Sequence, residues 1–434
     1  MRLEPRGHGV IIGGGIGGLL AAHALAGRFE RVTVLEAYRY PRESNSPAPS
    51  ARRGVPQSRC IHLLMAAGAA AFDELIPGWS DALVALGASP FDACSDAVLR
   101  LSTGWLPRVP SGISAYACSR ALLEDVLRRG LVGKPTVHVR EGQRVVGLLG
   151  SPRDESVTGV VTTQQRGAGE TTLSADLVVD ASGTGSALPR WIARLPNSVN
   201  SQLHKTVVES GTQYVSRWYQ IKPADAPRWR CLSIAPMAST AFRSAMMLRA
   251  EEDRWGVVLL APAGEPLPCN DTSFTEFVAS FGDRELQQAL GRAKTVSPIL
   301  RYGSTSNRMT HFELVTEWPR GLVAIGDSVC TLNPYLGLGM TLAARGAVLL
   351  RACLDHKSGG PISAIDFQIQ LAKLNVEPWR LATGCEPDGR SLASSKTRLS
   401  HLYKSASLNP VVAHALLAVQ HLLRPAETLR EIAE

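Results

Sequence analysis

Three short stretches carry residue types that could hold a dinucleotide. Gly13-Gly14-Gly15-Ile16-Gly17-Gly18 satisfies G-x-G-x-x-G at Gly13, Gly15 and Gly18. Glycines so spaced let backbone approach a pyrophosphate at a helix N-terminus, where free N–H groups and the helix dipole favour an anion. Ile16 and Gly17 contribute the amides between them. Glu36 follows 23 residues after Gly13, near the offset of roughly 20 at which an acid accepts hydrogen bonds from a ribose. A carboxylate there favours a free 2′-hydroxyl, as in FAD or NAD, over NADP. A second stretch, Asp176-Leu-Val-Val-Asp180-Ala-Ser182-Gly183, is an apolar strand running into an acid and small residues. A third, Gly321-Leu-Val-Ala-Ile-Gly326-Asp327-Ser328, continues to Asn333-Pro334-Tyr-Leu-Gly337-Leu-Gly339-Met340. A strand-end carboxylate can hold a ribityl or ribose hydroxyl, and a glycine-opened helix can stabilise negative charge at its N-terminus.

The elements that must position these residues are readable around them. Gly9–Ile12 is a buried-strand run, Ile16–Ala26 has helical composition, and Arg31–Glu36 is β-branched; together they form a βαβ unit. Residues 41–56, rich in Pro, Ser and Arg, read as a loop, and Cys60–Ile76 as a helix ended by Pro77-Gly78. Ser119–Gly130 reads as a helix with Ser119 as N-cap. Val137–Val139 and Val157–Val161 read as strands, with Arg140–Gly150 between them. The stretch from about 196 to 304 changes character: Thr212–Gln220, Ser244–Arg249 and Trp255–Ala261 alternate like strands. Leu336–Leu350 and the last fifty residues read as helical. The expected fold is therefore α/β: a Rossmann-like nucleotide-binding domain, a β-rich second domain and a helical C-terminal tail. The boundaries fall at 1–75, 110–195 and 305–384 for the first domain, 76–109 and 196–304 for the second, and 385–434 for the tail.

Composition sets the class. Hydrophobic residues make up 45% and charged residues 19%, a globular balance that excludes a disordered chain. No apolar run reaches the roughly 18 residues of a membrane span, and no cleavage site follows the early apolar segment, so a cytoplasmic protein without an integral membrane segment is expected. The eight cysteines are scattered without a CxxC pair, which argues against a metal site and for reduced, mostly buried thiols. Half of the net charge of +8 lies between Arg39 and Arg59, where Arg39, Arg42, Arg52, Arg53 and Arg59 face only Glu43. Such a loop suits a phosphate-bearing ligand. With no interleaved stacking aromatics apart from Tyr38 and Tyr40, it does not suit nucleic acid.

From residue 9 to about 350 the chain resembles the single-component, group A FAD-dependent monooxygenases, which combine these three motifs in this order. Within that group it is similar to the bacterial epoxidases of polyketide and polyether biosynthesis. The closer resemblance is carried by Arg53-Gly-Val-Pro-Gln57-Ser-Arg59, Cys118-Ser-Arg120-Ala-Leu-Leu-Glu124, Ser210-Gly-Thr-Gln-Tyr214, Trp318-Pro-Arg-Gly-Leu-Val and Gly326-Asp327 through Met340. The resemblance implies FAD as cofactor and NAD(P)H as transient co-substrate. Gly13, Gly15 and Gly18 would face the pyrophosphate and Glu36 the adenosine ribose. Arg53 and Gln57 would lie along the cofactor, and Arg120 beside the flavin. Asp327 would bind the ribityl or pyrophosphate portion, and Pro334, Gly337, Gly339 and Met340 would line the isoalloxazine. The implied reaction epoxidises or hydroxylates a lipophilic, polyketide- or terpenoid-like secondary metabolite with O₂, through a flavin C4a-hydroperoxide. Cys60 stands where relatives carry His, and Leu338 where they carry a polar residue, both expected near the flavin. Redox-neutral cyclisation on an FAD scaffold and an FAD-dependent dehydrogenase or oxidase therefore remain as alternatives. No catalytic side chain is assigned; His62, His204 and His311 are candidates only. Met246-Met247 and the tryptophans are candidate walls of an apolar pocket.

Overall fold

The computed structural model describes residues 6–40, 52, 54–151, 155–164, 169–195, 203–236, 242–302, 306–355, 363–392 and 396–433. The βαβ unit forms as its sequence dictates. β1 (Arg6–Ile12) is buried from His8 onward, α1 (Ile16–Leu25) follows the glycine turn, and β2 (Phe29–Glu36) returns beside β1. α2 (Arg120–Arg129) starts at Ser119, whose Oγ accepts from Leu122 N at 3.2 Å, an N-cap of the expected kind. β3 (Val137–Glu141), β4 (Leu177–Asp180) and β5 (Leu322–Ala324) complete a five-stranded parallel sheet ordered β5-β4-β1-β2-β3. The order reverses at β1, the switch point at which doubly wound sheets bind ligands outside their carboxyl ends. Register fixes which residues meet there. Ile12 pairs with Leu35 and with Asp180, and Asp180 with Ala324. Gly13, Glu36, Ala181 and Gly326 therefore leave the sheet along one edge.

The second domain is an eight-stranded, largely antiparallel sheet built around Thr212–Gln220, Arg254–Pro262, Ser244–Arg249 and Cys231–Ile234, joined by Ala97–Leu101 and Gly104–Trp105. Period-2 alternation sorts its side chains. Val215, Met247, Val257 and Leu259 pack on Phe274, Phe277 and Leu286 of two outer helices. Tyr214, Ser216, Met246, Val258 and Leu260 face the opposite way, toward the first domain. The segment from Arg59 to Leu64 is held against that inner face. Trp218 Nε1 donates to Arg59 O at 2.6 Å. Gly256 admits Ile61 so closely that a Cβ there would lie 2.4 Å from the Ile61 Cβ.

Several expectations are corrected. Cys60–Ile76 is not one helix: Ile61–Leu64 is a strand paired with Ser114–Ser119, and the helix is Ala66–Leu75. Sheet pairing here overrides an apolar, helix-compatible composition. Gln143–Ser151, expected as a connection, is a strand paired with Ser156–Gln164. The late helix, α3 (Gly339–Asp355), starts three residues after Leu336. Pro334–Leu336 forms a 3₁₀ turn and Gly337 takes φ +66°, a left-handed conformation that glycine adopts without strain. The tail helix Pro410–Gln420 packs through Val412, Leu416 and Leu417 on Cys94, Leu101, Leu106 and Ile113, and His421 at its end accepts from Ala66 N and Ala67 N. Among the described residues no helix is long and apolar enough to cross a membrane. The eight cysteines are free, five of them buried.

Candidate active site

A cleft of about 950 Å³ runs from the glycine turn to the inner face of the second sheet. Gly13, Gly15, Ile16, Gly17, Glu36, Gln57, Arg120, Asp327, Pro334, Gly337, Gly339 and Met340 all line it. Gly18 does not: it is buried where α1 crosses the turn, and a Cβ there would lie 1.8 Å from Gly13 O. Its absent side chain serves helix packing rather than ligand contact. Arg53 lies outside the described residues.

The glycine turn meets the test for a phosphate cradle. Gly13 has φ +96°, and a Cβ on it would strike Ala181 O at 2.6 Å, so the turn and the end of β4 are in close contact. α1 begins at Gly15 with no side-chain cap and no acid in its first turn. Its first amides, at Ile16 and Gly17, thus open on the cleft without a protein carboxylate to compete for them.

Glu36 is more engaged than an isolated ribose ligand. Oε1 accepts from Tyr38 N at 2.9 Å, and Oε2 accepts from Gly14 N at 2.8 Å and Arg52 Nη2 at 2.5 Å. Oε1 keeps a lone pair for a further donor. Arg52 then reaches Glu124 Oε1 at 2.8 Å, which also accepts from Arg120 Nε at 2.9 Å. A buried chain Glu36–Arg52–Glu124–Arg120 therefore ties the glycine turn to the cleft's centre. Burial opposes the charge on Arg52, but the two carboxylates more than offset it and raise its pKa. Arg52 is thus not a free contributor to a basic loop: its charge is neutralised inside the fold. Arg52 and Glu124 went unrecognised as a pair because they lie 72 residues apart; the only signal was the local arginine excess.

Asp327 leaves β5 through a tight turn and lines the cleft with no hydrogen bond to its carboxylate among the described residues. Burial raises its pKa, against the positive charge of Arg120. Asp180, by contrast, is spent locally. Its carboxylate accepts from Ser182 Oγ and Ser186 Oγ, both at 2.5 Å, and so shapes the turn that brings Ala181 to Gly185 to the cleft wall.

The three histidines separate. His62 lines the cleft, and its Nδ1 lies 3.0 Å from Cys60 O. That carbonyl requires Nδ1–H, which leaves Nε2 as an acceptor. Burial, then the charge of Arg120, lowers its pKa to about 3, so the imidazole is neutral. His311 is a satisfied structural residue, held between Glu313 at 2.7 Å and Thr206 at 2.8 Å, with His204 against its ring. Neither His204 nor His311 reaches the cleft. Leu338, expected near the flavin face, is buried among Met65, Leu332 and Trp379, away from the cleft. Cys60 does line it, in contact with the Tyr302 hydroxyl.

A switch-point cleft with an uncapped helix at one end and an apolar sheet at the other defines a dinucleotide-dependent flavoprotein fold. The chain belongs to the FAD binding domain family, which matches residues 8–360. It is 30% identical over 399 residues to Protein Rv3254 of Mycobacterium tuberculosis (strain ATCC 25618 / H37Rv), covering 87% of this chain and 80% of that protein. Its fold is similar to that of p-nitrophenol 4-monooxygenase PnpA from Pseudomonas putida DLL-E4, with a TM-score of 0.67 and 18% identity, over 98% of this chain and 99% of that one. It is also similar to the flavin-dependent brominase Bmp2, with a TM-score of 0.66 and 15% identity, over 95% and 93% of the two chains.

Proposed function

We propose that this protein is an FAD-dependent monooxygenase that uses NAD(P)H and O₂ to epoxidise or hydroxylate a lipophilic, polyketide- or terpenoid-like metabolite. The observation that carries the reading is the continuity of the cleft, from an anion cradle through Asp327 to an apolar chamber. When bound, FAD supplies electron transfer from the nicotinamide and activation of O₂. In this reading the amides of Ile16 and Gly17 bind the pyrophosphate, and Glu36 Oε1 accepts from the adenosine ribose. Gln57 and Arg120 orient the cofactor along the cleft, joined by Arg53. Asp327 accepts from the ribityl or pyrophosphate portion. Pro334, Gly337, Gly339 and Met340 wall the ring, and the N-terminus of α3 offers its positive dipole end to negative charge there. The first-domain segments 1–75, 110–195 and 305–384 then hold the cofactor, and 76–109 with 196–304 the substrate.

Ile61, Leu63, Met246, Leu248, Val258 and Leu260 supply the apolar walls. Such walls suit a lipophile and exclude water from a reactive oxygen species. An alkene needs no side-chain base, which fits a cleft whose one histidine among the described residues, His62, is made a very weak base by burial. The redox-neutral alternative rests on Cys60 and Leu338; Cys60 lines the cleft and Leu338 does not. The test is spectroscopic. The purified protein is expected to be yellow, to lose its flavin absorbance anaerobically on addition of NADPH or NADH, and to regain it with O₂. A bound flavin that neither nicotinamide bleaches would overturn the assignment.

A further inference from the structure

We infer that Tyr40 is a positioning residue of the anion cradle: its hydroxyl holds the Gly14 carbonyl, and so aims the amides of Ile16 and Gly17 at the pyrophosphate of a dinucleotide. The inference rests on the reading of the glycine turn as that cradle and names the side chain that shapes it.

The fingerprint itself does not call for Gly14, which occupies a free position of G-x-G-x-x-G. Nor does the backbone: unlike Gly13, Gly14 has no positive φ, so another residue could adopt its conformation. Space is what demands glycine. A Cβ on Gly14 would run into the Tyr40 hydroxyl, with Glu36 Cβ and Oε2 each 3.1 Å away. These two side chains close on both polar groups of one residue. Glu36 Oε2 accepts from Gly14 N at 2.8 Å, and Tyr40 Oη donates to Gly14 O at 2.6 Å. Gly13 N, one step earlier, donates to Leu35 O at 2.8 Å. The peptides entering α1 are therefore tied down from behind, before any ligand arrives, and a preset turn spares the ligand the cost of ordering it.

Tyr40 is locked in turn. Its N donates to Glu141 Oε2 at 3.0 Å. The guanidinium groups of Arg52 and Arg128 lie over its ring, 4.6 and 4.5 Å from the centroid, where the ring quadrupole attracts a cation. Arg52 is held by Glu36 and Glu124, and Arg128 by Asp125. Burial raises the pKa of the phenol, so the hydroxyl keeps its proton near pH 7 and remains a donor to a carbonyl that can only accept. Tyr40 does not line the cleft. It reaches the ligand only through Gly14.

Tyr40→Phe keeps the ring and its two cations and deletes the hydroxyl. The holoenzyme is diluted and released FAD is read by its recovered fluorescence, with ADP added as a displacer. FAD and ADP are each expected to bind about tenfold more weakly to Tyr40→Phe, while the flavin-saturated variant keeps the wild-type absorption spectrum. Gly14→Ala is expected to weaken FAD by about a hundredfold. At least about tenfold of that loss should return in Gly14→Ala/Tyr40→Phe, because the hydroxyl that the new Cβ strikes is gone. FAD and ADP affinities within about twofold of wild type in Tyr40→Phe, a loss for FAD that ADP does not share, or simply additive losses in the double variant would overturn the inference. If Gly14→Ala does not fold, ADP displacement from Tyr40→Phe decides by itself. A wild-type protein that binds neither FAD nor ADP sinks the cofactor reading; one that binds both, with Tyr40→Phe indifferent, sinks this inference alone.

Discussion

The two ends of the cleft solve opposite electrostatic problems. At the glycine-turn end, four ionised side chains sit in alternation, Glu36–Arg52–Glu124–Arg120, and three of them are almost completely removed from solvent. At the sheet end the second sheet and Cys60–Leu63 contribute hydroxyls, a thiol, an imidazole and apolar side chains. The first arrangement cancels its own charge inside the fold and leaves the Asp327 carboxylate open to the cleft. The second presents neutral and apolar groups from its sheet.

Breaking the charged end has the largest expected effect. Arg52→Met removes a cation shared by two buried carboxylates, and leaving such charges unpaired costs about 3–5 kcal/mol. Urea unfolding should show that loss together with depleted flavin content, while the chamber residues are untouched. A stability within about 1 kcal/mol of wild type would mean that water or another cation reaches Glu36, and that the chain of ion pairs is not the internal neutraliser described above.

Acid sharpens the comparison next, because it titrates the uncharged end. His62 has its pKa lowered to about 3, chiefly by burial. The unfolded chain binds that proton near pH 6.5 and the folded one does not, so this contribution is fully present above pH 6.5 and is lost as pH falls toward 3. His23 and His421, each lowered to about 4 by burial, act in the same direction. Between pH 7.5 and pH 5 each imidazole should account for about 1–2 kcal/mol of lost stability. His62→Gln should remove that amount of the acid-dependent loss; chemical unfolding at the two pH values measures it, and identical losses in variant and wild type would show that His62 is hydrated.

The smallest effect tests the clamp on the chamber wall. Trp218→Phe deletes the hydrogen bond to Arg59 O and part of a fully buried ring, a loss of about 1–2 kcal/mol. Urea unfolding should show that loss with flavin content unchanged. Depleted flavin content would show that the two regions are mechanically one.

How much of this could be read along the chain differs between the two ends in the same way. The glycine turn, the strands around it, the Ser119 cap and Asp327 at its strand end are local patterns, set by backbone requirements within a few residues. They were expected and are found. The second sheet's strands were equally visible through their alternation, but alternation only sorts residues into two faces. It does not say that Met246 walls a chamber while Met247 packs on helices. Nor did composition reveal that Ile61–Leu64 would pair as a strand, because that choice was made by a partner some fifty residues away.

The sequence by itself determined a glycine turn leading into a helix, a carboxylate at each of three strand ends and a β-rich second domain. Short-range sterics and hydrogen bonding specify those features without help. Tertiary structure alone decided that Asp180 is spent on its own turn while Asp327 is left open, that Arg52 is neutralised rather than presented, and that Ser216 is buried beside Cys60. Each of those outcomes depends on which distant groups share a low-dielectric space, and burial, not residue type, sets the energy of a charge or a hydrogen bond there.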